Sequence, residues 1–238
     1  MTATLDVVVP ALNAAPLLAR TLAAIGAEAG VETGPETGAE ASDWRAAITV
    51  CDGGSHDDTR TIARNSGAAV VSAPAGRGGQ LAAGAAAGSA PWLLFLHADT
   101  RLGAEAADII ARFVGSGAGK AGYFRLRFDA SEPDARRVER LAAWRCHALG
   151  LAYGDQGLLI SRAHYERLGG FRPLPLMEDV DLVRRIGRAD LVLLEADAIT
   201  SAARYRRDGW WFRPLRNLTC LSLYFAGLPP QALRRLYG

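Results

Sequence analysis

The sequence predicts an α/β fold, a mostly parallel Rossmann-like strand–helix half followed by a mixed second half. Three observations predict it. Short β-branched apolar runs alternate with helix-period segments up to residue 116, the pattern of parallel strands joined by crossover helices. The alternation then gives way to longer helices and short strands. Polar residues also recur just beyond the carboxyl ends of the early strands, where open α/β sheets bind ligands. A chain of 238 residues suits one domain, read as a ligand-binding half (1–116), a second half carrying the chemistry (117–205) and a helical C-terminal segment (206–238).

The elements follow in order. Residues 5–9, apolar except for Asp6, read as a strand buried on both faces. Pro16 suits a first helical turn, and Leu17, Leu18, Leu22 and Ile25 give a helical stripe. Residues 26–43 are Gly, Ala, Glu and Thr without periodicity, a flexible surface insertion. A second strand spans 48–51. Asp57, Asp58 and Thr59 then cap a helix running to Ser66, with Gly67 past its end. A third strand over 69–72, a small-residue helix over 80–88, a fourth strand over 92–96 and a helix over 104–114 complete the first half. Residues 123–128 alternate with the period of a half-exposed strand. A long amphipathic helix over 131–149 comes next, then a short strand over 157–161 and a helix over 177–187 that opens with acids. Short strands over 191–194 and 199–203 and an apolar-rich helix over 211–226 end the chain.

Composition excludes several classes. Forty-five residues are Ala, so the apolar half of the chain is less oily than it looks. The apolar run near the chain's end, 218–228, is shorter than the roughly 18–20 residues that cross a bilayer. A net charge of +2 does not call for nucleic acid. Cys51, Cys146 and Cys220 are odd in number, far apart and without a CxxC, which fits a reducing cytosol better than disulfides or zinc. Residue 5 is already in a strand with no charged and apolar leader before it, so no signal peptide is expected. The location expected is cytoplasmic, with peripheral contact at the inner membrane face in view of the chain's end. Residues 204–235 carry seven Arg against Asp208 alone, facing phosphate or anionic lipid, or simply solvent.

Polar clusters follow four successive strands: Pro10 to Asn13, Asp52 to Thr59, Arg77 to Gln80 and His97 to Thr100. Four at one sheet edge mark a site. VVVPALNA (7–14), DGGSHDDT (52–59), HADT (97–100) and MEDVDL (177–182) resemble the family 2 glycosyltransferases of the GT-A fold. RGGQ, LLFLHADT, DQG and LPLMEDVDL are similar to a narrower bacterial branch, the radical-SAM/selenodomain-associated transferase 2 group.

Pro10, Ala11 and Asn13 leave the first strand in a turn that can read a flat base, or in a plain strand–helix turn capped by Asn13; the resemblance favours nucleoside contact. Asp52 directly follows a strand, and Gly53 and Gly54 let backbone approach a ligand, so its carboxylate can accept from a pyrimidine or ribose donor. Asp57, Asp58 and Thr59 read as caps. Arg77, before Gly78, Gly79 and Gln80 at a helix start, suits a diphosphate, the alternative being a mobile surface loop. The absence of a GK[ST] ending argues against ATPase chemistry.

His97, Ala98 and Asp99 occupy the place of the family's Asp-x-Asp. The resemblance implies that Asp99 binds Mg²⁺ or Mn²⁺. His97, standing where the family has Asp, touches the ribose or packs in the core. Glu178 and Asp179 open a helix, where acids also complement the dipole. By resemblance Asp179 is the general base and Glu178 orients it or the sugar. Asp155 and Gln156 line the sugar or acceptor pocket, and Arg204 closes over the phosphates.

The expected activity is inverting, hexosyltransferase-type transfer from a nucleotide-diphosphate sugar, a uridine one, to a small-molecule or lipid acceptor. A sugar nucleotidyltransferase would place a Gly-rich basic loop after the first strand, where this chain has PALNAAP. A non-catalytic sugar-nucleotide sensor would not need Glu178 and Asp179. The terminal aromatic stretch suits a core helix, a homodimer contact or a helix lying on a membrane.

Overall fold

The structure, a computed structural model, describes residues 3–28, 44–117 and 119–237. One eight-stranded sheet runs through both halves of the chain in the order β3-β2-β1-β4-β7-β6-β8-β5. Strands β1 (Ala3–Ala11), β2 (Trp44–Asp52), β3 (Ala69–Ser72) and β4 (Trp92–Phe95) pair in parallel. The mixed part follows. β7 (Leu158–Ser161) is antiparallel to both β4 and β6 (Ala121–Phe128), whereas β6 and β8 (Leu191–Thr200) are parallel.

The apolar residues of β1 are explained by cover on both faces. Leu5, Val7 and Val9 pack with Leu18, Leu22 and Ile25 of α1 (Ala15–Glu28) and with Ile110 and Phe113 of α4 (Ala106–Ser116). Val8 points the other way, toward Leu81 and Ala85 of α3 (Arg77–Ala87), in a layer that also holds Leu182 and Ile186 of α7 (Glu178–Ile186). Each such buried Leu or Val contributes about 1.5–3 kcal/mol. The small residues of α3 let it lie close to the sheet, since a Cβ on Gly84 would overlap the side chains of Val8 and Cys51.

The remaining helices are α2 (Thr59–Asn65), α5 (Pro133–Leu149), α6 (Arg162–Arg167), α8 (Ala203–Asp208), α9 (Phe212–Phe225) and α10 (Pro230–Tyr237). The last two dock through Cys220, Leu221 and Leu233 onto Leu176, Met177 and Val180. Cys51, Cys146 and Cys220 are buried free thiols.

Several expectations need correction. The two short strands expected over 191–194 and 199–203 are one strand, β8. Its pairing with β6 jumps from Phe124↔Leu194 to Arg125↔Asp197, a bulge that absorbs the extra residues, and Asp197 faces Arg125 and Arg127 as ion pairs. Polar residues in mid-strand hid its continuity. Residue 203 begins α8 instead of ending a strand. β5 (Thr100–Leu102), α6 and α10 were not expected; each is short. The insertion expected over 26–43 lies, beyond Glu28, outside the described residues.

Candidate active site

β1, β2 and β4 run in parallel, so their carboxyl ends open at one edge of the sheet. A crevice lies there. One of its lobes is lined by Pro10, Asn13, Leu17, Arg77, His97, Ala98, Asp99 and Arg204. The other shares Arg77, His97, Asp99 and Arg204 and continues past Tyr153, Asp155, Asp179, Tyr205, Arg213 and Asn217.

The wall behind the first lobe is tightly hydrogen-bonded. Asn13 takes a left-handed backbone (φ 49°), which Asn tolerates; its Oδ1 accepts from the His56 N–H and its N–H donates to Ser55 Oγ. Asp57 accepts from the Thr59 N–H and hydroxyl and from the Ala15 N–H, so it serves the starts of α2 and α1, whereas Asp58, expected to cap with it, is the N-cap residue of α2 but makes no side-chain cap hydrogen bond. Three residues expected to touch a nucleotide sit within this wall instead. Ala11 is buried in the core, and its carbonyl accepts from the Gly53 N–H and from Gln80 Nε2. Gln80, buried, also donates Nε2 to the Cys51 carbonyl at 2.7 Å, so its amide staples β1 to β2. Asp52 is fully buried and accepts from the Gly54 and Ser55 N–H groups and from Arg60 Nε at 2.6 Å. Burial pushes its pKa up, but the hydrogen bonds from Ser55 and Arg60 outweigh burial and hold the carboxyl below its ordinary value. The Ala11 carbonyl, the Gln80 amide nitrogen and the Asp52 carboxylate are thus bound to the protein itself.

The floor is formed by the segment after β4. Thr100 begins β5, which pairs antiparallel with the end of β8, and the Ser201 N–H donates to the Asp99 carbonyl. That pairing carries Arg204 to within 3.9 Å of the Asp99 carboxylate. The guanidinium is more than half exposed, so the contact is weak and the arginine can be drawn onto an anion. His97 is pushed down to about 4 by burial, helped by Arg77 and Arg204 and opposed by Asp99 and Asp179. It is therefore a neutral imidazole at pH 7.

The opposite wall is the start of α7. Met177 has a left-handed backbone (φ 66°), unusual for a large side chain, and turns the chain into the helix. Glu178 then points inward and Asp179 toward the crevice. Glu178 is 1% exposed; Oε1 meets Arg77 Nε at 2.7 Å and Oε2 is buried without a hydrogen-bond partner. Burial pushes its pKa up to about 7, with Arg77 opposing and Asp179 adding to the rise. Asp179 accepts from the Gly154 N–H at 2.8 Å on one oxygen and from the Val180 N–H at 2.8 Å on the other.

Asp155 lines the crevice, and its Oδ1 is buried without a partner; burial pushes its pKa up, against Arg145. Gln156 does not reach the crevice. It is buried, bridging Arg145, the Tyr153 N–H and the Phe124 carbonyl, and so holds the turn that carries Gly154 and Asp155. Sequence reasoning missed Gly154, Tyr153, Tyr205, Arg213 and Asn217. Only the Gly preceding DQG was a readable signal, and it named no role.

This crevice can bind a polyanion between Arg77 and Arg204, and can take a proton from a hydroxyl at Asp179. Among the described residues no three His, Cys, Asp or Glu side chains cluster closely enough to hold a metal ion unaided.

The sequence profile of glycosyl transferase family 2 matches residues 6–156, more than half of the chain. No curated protein sequence matches it significantly. Similar solved structures include glucosyl-3-phosphoglycerate synthase from Mycobacterium tuberculosis, 25% identical over 81% of this chain and 71% of that one, with a TM-score of 0.54. The same synthase in complex with Mn²⁺, UDP and glucosyl-3-phosphoglycerate is 23% identical over 81% and 70%, with a TM-score of 0.51. Mannosyl-3-phosphoglycerate synthase from Rubrobacter xylanophilus is 20% identical over 83% and 66%, with a TM-score of 0.55. These likenesses establish the GT-A fold. The profile match itself runs from β1 through the Asp52 turn and the His97–Asp99 segment to the turn that holds Asp179, and the chain belongs to glycosyl transferase family 2.

Proposed function

We propose that the protein transfers a hexose from a uridine diphosphate sugar to an acceptor hydroxyl, with inversion at the anomeric carbon. The observation that carries this reading is that one crevice holds Arg77, Asp99 and Arg204 on its donor side and Asp179 on the other. The solved synthase complexes with UDP and Mn²⁺ or Mg²⁺ support the choice of donor and cation.

Residues fitting a divalent cation are present. Asp99 is a hard carboxylate on the crevice, neutral His97 stands two residues before it, and Asp155 faces the same space with a buried unpartnered oxygen. Asp99 would hold the ion, its other positions being left to donor phosphates and water. When bound, it supplies charge neutralisation on the departing diphosphate.

The chain's own residues do the rest. Pro10, Asn13 and Ala98 bound the lobe that receives the nucleoside, while Ala11, Asp52 and Gln80 fix that lobe from behind. Arg77 and Arg204 pair with phosphate oxygens. Asp179 accepts the acceptor hydroxyl's proton as that oxygen attacks, a role that contributes about 10²–10⁴-fold. Hydrogen bonds from Gly154 and Val180 hold both carboxylate oxygens in place. One displacement needs no covalent sugar–enzyme intermediate. Assignment to the radical-SAM/selenodomain-associated branch rests on the RGGQ, LLFLHADT, DQG and LPLMEDVDL phrases.

The reading is tested by measuring thermal stabilisation by a panel of nucleotide sugars with Mn²⁺, with Mg²⁺ and with chelator. Stabilisation by a UDP-sugar that chelator abolishes is expected, and the same donor should be slowly hydrolysed. A donor bound equally well under chelator would remove Asp99 from its role.

A further inference from the structure

Helix α9 has two unlike faces. Cys220 and Leu221 are buried on one, against Leu176, Met177, Val180 and Leu233. On the other, Trp211, Leu215, Leu218 and Phe225 recur every three to seven residues and are 68%, 61%, 58% and 49% exposed. The stripe runs about 21 Å along the helix. Phe212 and, on α10, Leu236 are exposed as well. Arg137 lies over the Trp211 ring and Arg184 over that of Phe225, yet a row of large apolar side chains left this exposed along one helix face marks a contact surface.

Charge says what it contacts. From α8 to α10 the chain carries Arg204, Arg206, Arg207, Arg213, Arg216, Arg234 and Arg235 against a single acid, Asp208. Asp208 is shared among Arg207, Arg213 and Arg216, Arg206 pairs with Glu132 and Arg204 lies by Asp99, so the surplus beside the apolar face is exposed Arg234 and Arg235, next to exposed Leu236 on α10. A twofold contact with a second copy would set this surplus against itself. An anionic lipid surface complements it, with Trp, Phe and Leu entering the interface and Arg meeting headgroups. No described helix is long and apolar enough to cross a membrane, so the helix would lie in the plane.

We infer that α9, with α10 beside it, docks this protein onto an anionic membrane surface through Trp211, Leu215, Leu218 and Phe225. The inference does not depend on the transferase reading. It is tested with the full chain by co-sedimentation with vesicles of phosphatidylcholine alone and of phosphatidylcholine mixed with phosphatidylglycerol. Binding to the mixed vesicles is expected, weakened by salt. Leu215→Ser/Leu218→Ser should lower it at least about tenfold with unchanged thermal unfolding, because both side chains are exposed in the free protein. Arg234→Glu/Arg235→Glu, which leaves the apolar stripe intact, should weaken binding to the mixed vesicles specifically. Light scattering is run in parallel. Absent vesicle binding, equal binding to both vesicle types, or a dimer that the leucine substitutions dissociate would each overturn the inference.

Discussion

Arg77 and Glu178 meet at 2.7 Å across the crevice, joining the first residue of α3 to the first residue of α7. The contact ties the donor-side wall to the wall that carries Asp179. It also leaves Glu178 Oε2 buried without a partner beside Asp179. Two acids in adjacent positions thus have different environments: one buried and bound to a cation, one facing the crevice. Such divergence is how sites assign distinct roles to like groups.

Stability should depend on Glu178 in a direction fixed by its pKa. Its value in the folded protein, about 7, lies above its ordinary 4.5, so the folded state binds the extra proton. The Glu178 contribution is fully present below pH 4.5 and is lost as pH rises through about 7. Denaturant midpoints for the wild type and Glu178→Gln, measured across that window, check this. The wild type should fall relative to the variant as pH rises; parallel curves would refute it.

Gly154→Ala should separate geometry from folding. A Cβ there would lie 2.7 Å from His97 Nε2, so the imidazole or the turn that presents the Gly154 N–H to Asp179 must shift. Displacing a catalytic group by about 1 Å can cost on the order of 10²-fold. A loss of that size in kcat with a nearly unchanged melting temperature is expected. Wild-type turnover would show that the close packing of Gly154 does not position Asp179.

Asp52→Asn should act on the fold and not on the donor. Asp52 is sealed from the crevice and bound to Arg60, Gly54 and Ser55. Urea unfolding should show a loss of about 1–3 kcal/mol. Calorimetry should find donor affinity within about threefold of wild type, since a far smaller change than one lost charged hydrogen bond is expected from a residue that does not touch ligand. A large affinity loss at unchanged stability would return Asp52 to the nucleotide.

How far the sequence could be read follows from these residues. The parallel half was legible because the central residues of β1, β2 and β4, 7–9, 48–51 and 93–95, are buried and almost all apolar. The position of the crevice was legible because parallel strands bring their carboxyl ends together. What each strand-end residue does there was not. Asp52 ends β2 and Asp99 lies just beyond β4, yet one is buried and the other lines the crevice, a difference made by Arg60, the second residue of α2, and by the β5–β8 pairing. Gln80 and Gln156 read as ligand groups because an amide in a polar motif looks the same whether it meets substrate or two backbone carbonyls. β8 was split because Glu195 and Asp197 interrupt an apolar run, although the β6 ladder continues past them through a bulge.

The most direct measurement is made on Asp179→Asn with the best nucleotide-sugar donor and cation. Asparagine keeps the size of the side chain and can still accept from the Gly154 N–H, but it cannot take a proton from the acceptor. Transfer should fall by about 10²–10⁴-fold while donor affinity stays within a few-fold. Full retention of transfer in this variant would contradict Asp179 as the base and the inverting displacement built on it.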